Sequence, residues 1–125
     1  MANDEEGGII MNLIDKLNEA KEESFDKWFE RWYKKQNLEE QLIIAASQGY
    51  SNFRIRIQEN YQRSSDFDEN RKYLVRRLRD ERTVKNIENK LGTGIKVEYK
   101  EDKATRKLFG MSVNYYSDWI QITWK

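Results

Sequence analysis

The 125-residue sequence contains no histidine, no cysteine and no proline. Without imidazole or thiol, the chain cannot build the Ser-His or Cys-His arrangements of nucleophilic catalysis, and it lacks the usual ligands of zinc. The lack of cysteine also removes any disulfide argument for export. We therefore predict a protein that is not an enzyme, with no catalytic residues, no metal-binding residues and no cofactor.

Long apolar runs are also missing. The longest run, residues 42–46, is far shorter than the roughly 20 residues that a membrane-spanning helix needs. Near the N-terminus, Asp4, Glu5 and Glu6 stand where a secretory signal would carry basic residues. We expect no membrane association and a cytoplasmic location.

The first ten residues differ from the rest of the chain. The run from Asp4 to Gly8, followed by Met11, is what a purine-rich ribosome-binding sequence would encode if it were translated in frame. We expect residues 1–10 to be a disordered leader or a non-native start, with native translation beginning at Met11. The length of residues 11–125 suits a single α+β domain, since compact domains commonly have about 100–150 residues.

Charge and aromatic content are high. Charged residues make up 36% of the chain but almost cancel, at a net charge of +1. Residues 1–40 contain eleven acidic and six basic residues, whereas residues 41–125 contain eleven acidic and seventeen basic residues. With four Trp, seven Tyr and five Phe, the chain can bury large rings. Local charge is therefore a better guide to partners than net charge.

Residues 10–32 carry apolar side chains at a 3.6-residue period, which predicts a long amphipathic helix. Such a helix is too long to be covered along its whole length, so it either kinks near Ser24 or projects its aromatic half. In one interpretation the aromatic rings cover the domain's own sheet. In the other they contact a second copy of the chain, as a homodimer, or a protein partner. If they contact a second copy or a partner, Trp28, Trp32 and Tyr33 are candidate partner-binding residues.

A second helix is predicted between Asn37, as its N-terminal cap, and Gly49. Ile43 and Ile44 are predicted to lie on other faces of the helix than its apolar stripe, which consists of Leu38, Leu42, Ala45 and Ala46. A strand follows over residues 53–57. The next helix begins at about Phe67 and breaks near residues 80–83, with Thr83 as a new cap and Gly92 as terminator. Alternating residues predict strands at 95–99, 111–115 and 120–124, with a charged loop at 101–107 and a tight turn at 116–118. The expected fold is α+β, with a helical N-terminal half packed on a small antiparallel sheet and a C-terminal β-meander, in the order α-α-β-α-β-β-β.

Basic residues concentrate between positions 71 and 90, a segment that contains eight basic and three acidic residues. On a helix, Lys72, Arg76 and Arg79 form one stripe, and Arg77 flanks it. On the strands, the outward positions are basic and would share one face if the strands join one sheet; they are Arg54, Arg56, Lys96 and Lys100. Such groups neutralise phosphates, so this surface favours either nucleic acid or an acidic protein.

A remote alternative is a Mg²⁺-dependent nuclease. The carboxylates Asp66, Asp68 and Glu69, together with the Glu98-x-Lys100 pattern, match the residue types that such enzymes use to hold the metal and orient water. The match is poor, because the aspartates precede a helix and no strand carries a carboxylate placed to pair with Glu98.

Residues 42–57, with the sequence LIIAASQGYSNFRIRI, run from a helix through glycine into a short strand, and residues 119–124 read WIQITW. These segments resemble small accessory proteins of Gram-positive phages and mobile elements. The resemblance implies a non-catalytic modulator of host or phage machinery. We therefore expect a protein-interaction module that binds its partner through an aromatic amphipathic helix and a basic surface, with a small nucleic-acid-binding regulator as the alternative.

Overall fold

The computed structural model describes residues 12–59 and 67–124. Its elements are, in chain order, helices α1 (Leu13–Gln36) and α2 (Leu38–Ser47), strand β1 (Asn52–Gln58), helices α3 (Glu69–Leu78) and α4 (Glu81–Leu91), and strands β2 (Lys96–Leu108) and β3 (Met111–Thr123). The predicted α+β class, with helices concentrated before a small antiparallel sheet, is confirmed. None of the described helices is long and apolar enough to cross a membrane. The predicted leader, residues 1–10, and the alternative start at Met11 lie outside the described residues.

Contacts along the chain define two units, Met1–Asn37 and Leu38–Lys125, which are described separately. In the first unit, α1 runs without interruption for 24 residues. The Asn12 side chain caps its start by accepting a hydrogen bond from the Asp15 N–H at 3.0 Å. Asn37, predicted to cap the start of α2, instead ends α1 in the left-handed conformation, with φ of 54°.

In the second unit, α2 buries Leu38, Leu42 and Ala45 of the predicted stripe, whereas Ala46 is exposed. Ile43 and Ile44 lie on other faces, as expected, and are 68% and 50% exposed. Gly49 follows the helix with φ of +93°, a conformation that glycine adopts without steric cost. This turn directs the chain from α2 into β1.

The predicted break in the basic region is confirmed, and it separates α3 from α4. Its cap is Asp80, whose carboxylate accepts the Arg82 N–H at 2.9 Å, rather than Thr83. The buried Thr83 hydroxyl donates instead to the Arg77 carbonyl at 2.6 Å, which satisfies a group at the end of α3. Gly92 ends α4 as predicted, with φ of +90°.

The three strands form one antiparallel sheet in the order β1-β3-β2. Paired residues share a face, so Ile120 of β3 lies between Ile55 and Tyr99, and Ile122 lies between Phe53 and Val97. Helices α2 and α3 contact β1, and α4 contacts β2. The fully buried core side chains of this unit include Ile57, Ile87, Ile120 and Ile122.

Strands β2 and β3 form a long hairpin whose loop is Phe109-Gly110, with φ of 52° and 77°. The predicted loop at residues 101–107 is therefore wrong, because these residues belong to β2. The predicted turn at residues 116–118 is also wrong, since β3 continues through it and unites the two strands predicted there. Charge on both sides of an exposed hairpin hides the alternation from which a strand is predicted.

Candidate interaction surface

Strand β1 lies at one edge of the sheet, because among the described residues it pairs only with β3. The Trp124 N–H donates to the Ser51 carbonyl at 2.9 Å. This bond shows which alternate residues of β1 form hydrogen bonds with β3. Every second residue from Ser51 therefore faces β3, and the residues between them turn their N–H and C=O groups away. Asn52, Arg54 and Arg56 thus direct their backbone groups to the outer edge of the sheet.

The opposite edge, formed by β2, has the same alternation but is covered. There the outward N–H of Val97 donates to a carboxylate oxygen of Glu88 on α4, at 3.3 Å. Helix α4 also contacts β2 directly. The two edges of the sheet therefore differ in how their outward backbone groups are satisfied.

A groove with a volume of about 500 Å³ lies between α2 and β1. Its apolar lining includes Ile44, Ala45, Tyr50 and Phe53, of which Ile44 is 50% and Tyr50 60% exposed. Arg54 also lines the groove, and so does Arg56. The open edge of β1 is thus bordered by apolar surface and by two cations.

The four basic strand positions share the outward face of the sheet, as the sequence predicts. Arg56 and Lys100 are paired with Trp119 from opposite sides, and Arg54 and Lys96 are two and four residues further along on the same face. The Arg54 guanidinium lies 4.5 Å from the centre of the Trp119 ring, within the range of a cation–π contact. The face therefore combines one half-buried ring with four exposed cations.

Charge on this face is unevenly compensated. The Nζ atoms of Lys96 and Lys100 lie 3.4 Å and 3.6 Å from the carboxylate of Glu98, which is between them on β2. Arg56 is 3.7 Å from Glu59, a distance that gives only a weak surface pair. Positive charge is consequently greatest at the β1 side of the face.

The helical stripe of Lys72, Arg76 and Arg79 is also brought together, around a cavity of about 390 Å³ beside α3. Lys72 is 3.7 Å from Glu69, and the Arg76 guanidinium lies 5.6 Å from the Tyr73 ring centre. Arg79 also pairs with Asp118, although about a third of its side chain stays exposed, at 34%, so its charge is already partly compensated.

Arg77 does not stand apart as an exposed flank of the stripe. Its guanidinium donates to the Tyr73 hydroxyl at 2.9 and 3.0 Å and also stacks on the Tyr73 ring. The Arg77 side chain is half-buried. This residue therefore contributes to packing on α3 as well as to surface charge.

Arg79 belongs to a polar cluster centred on Asp118, a residue that is 1% exposed. One Asp118 oxygen, Oδ2, accepts from Arg79 Nε and from the Tyr99 hydroxyl, each at 2.6 Å, and lies 3.1 Å from the Tyr116 hydroxyl. Arg79 also donates to the Gln58 side chain at 3.0 Å. The cluster therefore ties α3 to all three strands of the sheet.

The cluster favours charged arginine and neutral tyrosines. Burial lowers the pKa of Arg79, but its hydrogen bond and attraction to Asp118 outweigh this and raise the pKa above its usual value. Burial, followed by the hydrogen bond to Asp118, raises the pKa of Tyr99 far above 10.0. Burial and the Asp118 charge likewise raise the pKa of Tyr116, although its hydrogen bond to Tyr99 acts in the opposite direction. The cluster is thus stable as a single arginine–carboxylate pair with two hydroxyl donors.

The candidate residues of α1 lie in the first unit. Trp28 and Trp32 are each 8% exposed and stack with ring centres 5.6 Å apart. Tyr33 is half-buried and stacks on Phe29 at 5.6 Å. The exposed apolar positions of α1 are in its first half, at Leu13, Ile14 and Leu17. A contact through the aromatic half stays a prediction, and the aliphatic half leaves more apolar surface uncovered.

The carboxylates considered for a nuclease have other partners. Asp68 caps α3 by accepting the Arg71 N–H at 2.7 Å, and Glu98 is paired with Lys96 and Lys100. Within residues 12–59 and 67–124 no group of three or more acidic side chains is placed to hold a metal ion. Asp66 lies outside the described residues.

Sequence reasoning missed the Asp118 cluster and the apolar wall of the groove. A signal for the cluster was present, since Gly110 is the only glycine after residue 94 and thus the natural hairpin loop. Placing the loop there makes residues 111–123 one strand and puts Tyr116 and Asp118 on the inner face. The groove had no such signal, because it depends on how α2 lies against β1.

Comparison of the chain with protein-family models, with curated proteins and with solved structures found no match.

Proposed function

We propose that this protein is a non-enzymatic protein-interaction module that binds its partner at the groove between α2 and β1. The observation that carries the proposal is the outward backbone edge of β1, which lies beside an apolar groove and two arginines. Exposed apolar surface rimmed by polar groups is typical of interaction sites. Tyrosine and arginine, both present here, are enriched among residues that dominate binding energy.

The proposed site does not include the rings of α1. Its basic residues are Arg54 and Arg56, which line the groove. Arg79 and Arg77 are used within the domain, by Asp118 and Tyr73 respectively. A cytoplasmic location, and a role as an accessory protein of a phage or mobile element, remain predictions from the sequence.

Affinity capture from the native host with matched variants tests the proposed site. Ile43 and Ile44 are adjacent, exposed isoleucines of α2, but only Ile44 lines the groove. We expect Ile44→Asp to reduce the captured partner by about tenfold, the effect of losing about 1.4 kcal/mol of binding energy. Ile43→Asp, the matched control, should capture as much partner as the wild type.

Equal capture by the two aspartate variants would contradict the proposed site. A wild-type protein that enriches no partner at physiological salt would contradict the function itself. Circular dichroism of each variant confirms that any loss comes from the surface and not from unfolding.

Nucleic acid is the second candidate partner, favoured by the stacked Arg54–Trp119 pair among the cations of the outward face. A stacking ring with basic neighbours is a common platform for single strands. Against it, one carboxylate is shared by Lys96 and Lys100 in the same face. A salt-dependent anisotropy change with random-sequence single-stranded DNA, lost in Arg54→Glu, would favour this reading over a protein partner.

A further inference from the structure

We infer that the partner adds a strand to the outer edge of β1, and that this strand is an extended segment in which acidic and apolar residues alternate. The inference rests on the proposed function and specifies the chemistry of the partner. It follows from three features of the same edge: the direction of its backbone groups, the groove beside it and the charge on its outward side chains.

The backbone supplies the first feature. Asn52, Arg54 and Arg56 turn both their N–H and C=O groups away from β3, as the Trp124–Ser51 hydrogen bond requires. An extended chain laid along these residues completes the ladder with main-chain hydrogen bonds, which is the basis of recognition by strand addition. Residues 52–56 span about 17 Å at the rise of a strand, so a segment of about five residues matches the edge.

The groove supplies the second feature. Side chains of neighbouring strands that lie opposite each other share a face. Alternate residues of an added strand therefore lie on the face of Phe53, where Ile44 and Tyr50 also line the groove. Gln41 and Gln48 also line the groove, but its exposed ring and aliphatic side chains favour apolar residues at these positions of the partner.

Charge supplies the third feature. The remaining residues of an added strand lie on the face of Arg54 and Arg56, both of which are exposed. The Arg54 guanidinium lies over the Trp119 ring, 4.5 Å from its centre, and the ring accepts none of the conventional hydrogen bonds that a guanidinium donates. Arg56 lies 3.7 Å from the Glu59 carboxylate, which is a weak surface pair. Carboxylates at these positions of the partner gain charge-assisted hydrogen bonds from both arginines.

The other edge of the sheet explains why the site is specific to β1. There the outward Val97 N–H already donates to Glu88, and α4 contacts the strand. An added strand would have to displace this hydrogen bond before pairing. Covering one edge in this way is a known means of preventing unwanted strand addition.

The first experiment measures binding of capped synthetic peptides by fluorescence anisotropy. The probe alternates valine and glutamate, and its counterpart alternates valine and lysine. We expect the glutamate peptide to bind at least about tenfold more tightly, because the lysine peptide places like charges beside Arg54 and Arg56. Equal binding of the two peptides, or no binding of the glutamate peptide up to about 1 mM, would overturn the inference.

The second experiment asks whether main-chain hydrogen bonds are made. Two versions of the glutamate peptide carry N-methyl groups on complementary sets of alternate residues. Only one set of peptide N–H groups faces β1, so one version should bind about tenfold more weakly while the other retains affinity. Unchanged binding of both versions would rule out strand addition. This comparison uses the wild-type protein and therefore does not depend on a variant that folds.

The third experiment compares Arg54→Ala with Arg54→Pro. Both variants remove the guanidinium, but only proline removes the outward N–H, and neither disturbs a hydrogen bond to β3. We expect Arg54→Pro to bind the glutamate peptide about tenfold more weakly than Arg54→Ala does. Identical affinities in two folded variants would contradict the assignment.

The outcomes separate this inference from the proposed function. Suppose that Ile44→Asp reduces capture of the host partner but that N-methylation does not change peptide binding. The proposed interaction site is then supported, and strand addition is overturned. If single-stranded DNA binds more tightly than the glutamate peptide and loses affinity in Arg54→Ala, the proposed protein partner is overturned as well.

Discussion

The two edges of the sheet have the same alternation of inward and outward backbone groups, but different contacts with the neighbouring helices. At the β2 edge, α4 contacts the strand and Glu88 accepts the Val97 N–H. At the β1 edge, α2 contacts the strand in a way that leaves a groove of about 500 Å³ along it. An edge strand invites pairing with other chains, and proteins commonly cover or charge it.

This difference is the reason for proposing that a partner binds at the β1 edge, whereas the β2 edge contributes to the packing of α4. The arginines follow the same division. Arg79 forms an ion pair with the buried Asp118, whereas Arg54 and Arg56 lie on the exposed face at the β1 side. A basic residue count alone therefore does not identify a binding surface, since part of the charge stabilises the fold.

The largest expected effect comes from the centre of the sheet, on which both edges depend. Asp118→Ala leaves the Arg79 guanidinium without its carboxylate and removes the acceptor of the Tyr99 hydroxyl. We expect the free energy of unfolding to fall by about 2 kcal/mol, as for hydrogen bonds to a charged group, because water can solvate the Arg79 side chain, which is 34% exposed, once its carboxylate is lost. Urea denaturation followed by circular dichroism measures this change.

Asp102→Ala is the matched control, because Asp102 is an exposed aspartate of the same hairpin. It should change the free energy of unfolding by less than about 0.5 kcal/mol. Asp118→Asn, which keeps the shape but not the charge, should fall between the two. Similar stabilities of the two alanine variants would show that the cluster does not hold the sheet together.

Alkaline pH should weaken the same cluster without a substitution. Because burial and Asp118 raise the pKa of Tyr99 and Tyr116 above 10.0 in the folded protein, the folded state holds these protons more tightly than the unfolded chain does. Their contribution to stability is complete below about pH 10, the unfolded value, and is lost as the pH rises toward the folded values.

Urea denaturation between about pH 8 and pH 11 measures this loss. In Tyr99→Phe the contribution of that hydroxyl is absent, so the variant should lose less stability over this interval than the wild type. The interpretation fails if both proteins lose stability with the same slope.

A smaller effect is expected at the covered edge. Glu88→Ala removes the acceptor of the Val97 N–H and should lower the free energy of unfolding by about 1 kcal/mol. Hydrogen exchange of the Val97 amide should accelerate toward that of Arg54, whose amide faces the open edge. Glu88→Gln keeps a side-chain oxygen and should retain most of the protection. Unchanged exchange at Val97 in the alanine variant would contradict the contrast between the edges.

Local patterns in the sequence predicted much of the fold. The stripe of α2, the strand at residues 53–57, the break before α4 and the terminator Gly92 each depend on residues close together in the chain. The hairpin was predicted less well, since residues 101–107 are charged on both faces and carry no alternation of apolar and polar side chains. A strand exposed on both faces is specified by its partner strand more than by its own composition.

The candidate site was predicted only in part. Alternation along β1 and β2 placed Arg54, Arg56, Lys96 and Lys100 on one face, and the shared pairing with β3 confirmed it. Ile44 and Tyr50, which form the wall of the groove, gave no signal of their own. The ion pair of Arg79 was not predicted, because a helical wheel contains no information about a carboxylate 39 residues away.

The sequence by itself determined which side-chain chemistry is available to this protein, since it contains no imidazole and no thiol but many arginines and large rings. It also determined where most helices and strands form, because caps, glycines and periodicity act over a few residues. Only the tertiary structure decided which edge of the sheet is covered by α4 and which arginine pairs with the buried Asp118, since both depend on contacts between residues far apart in the chain.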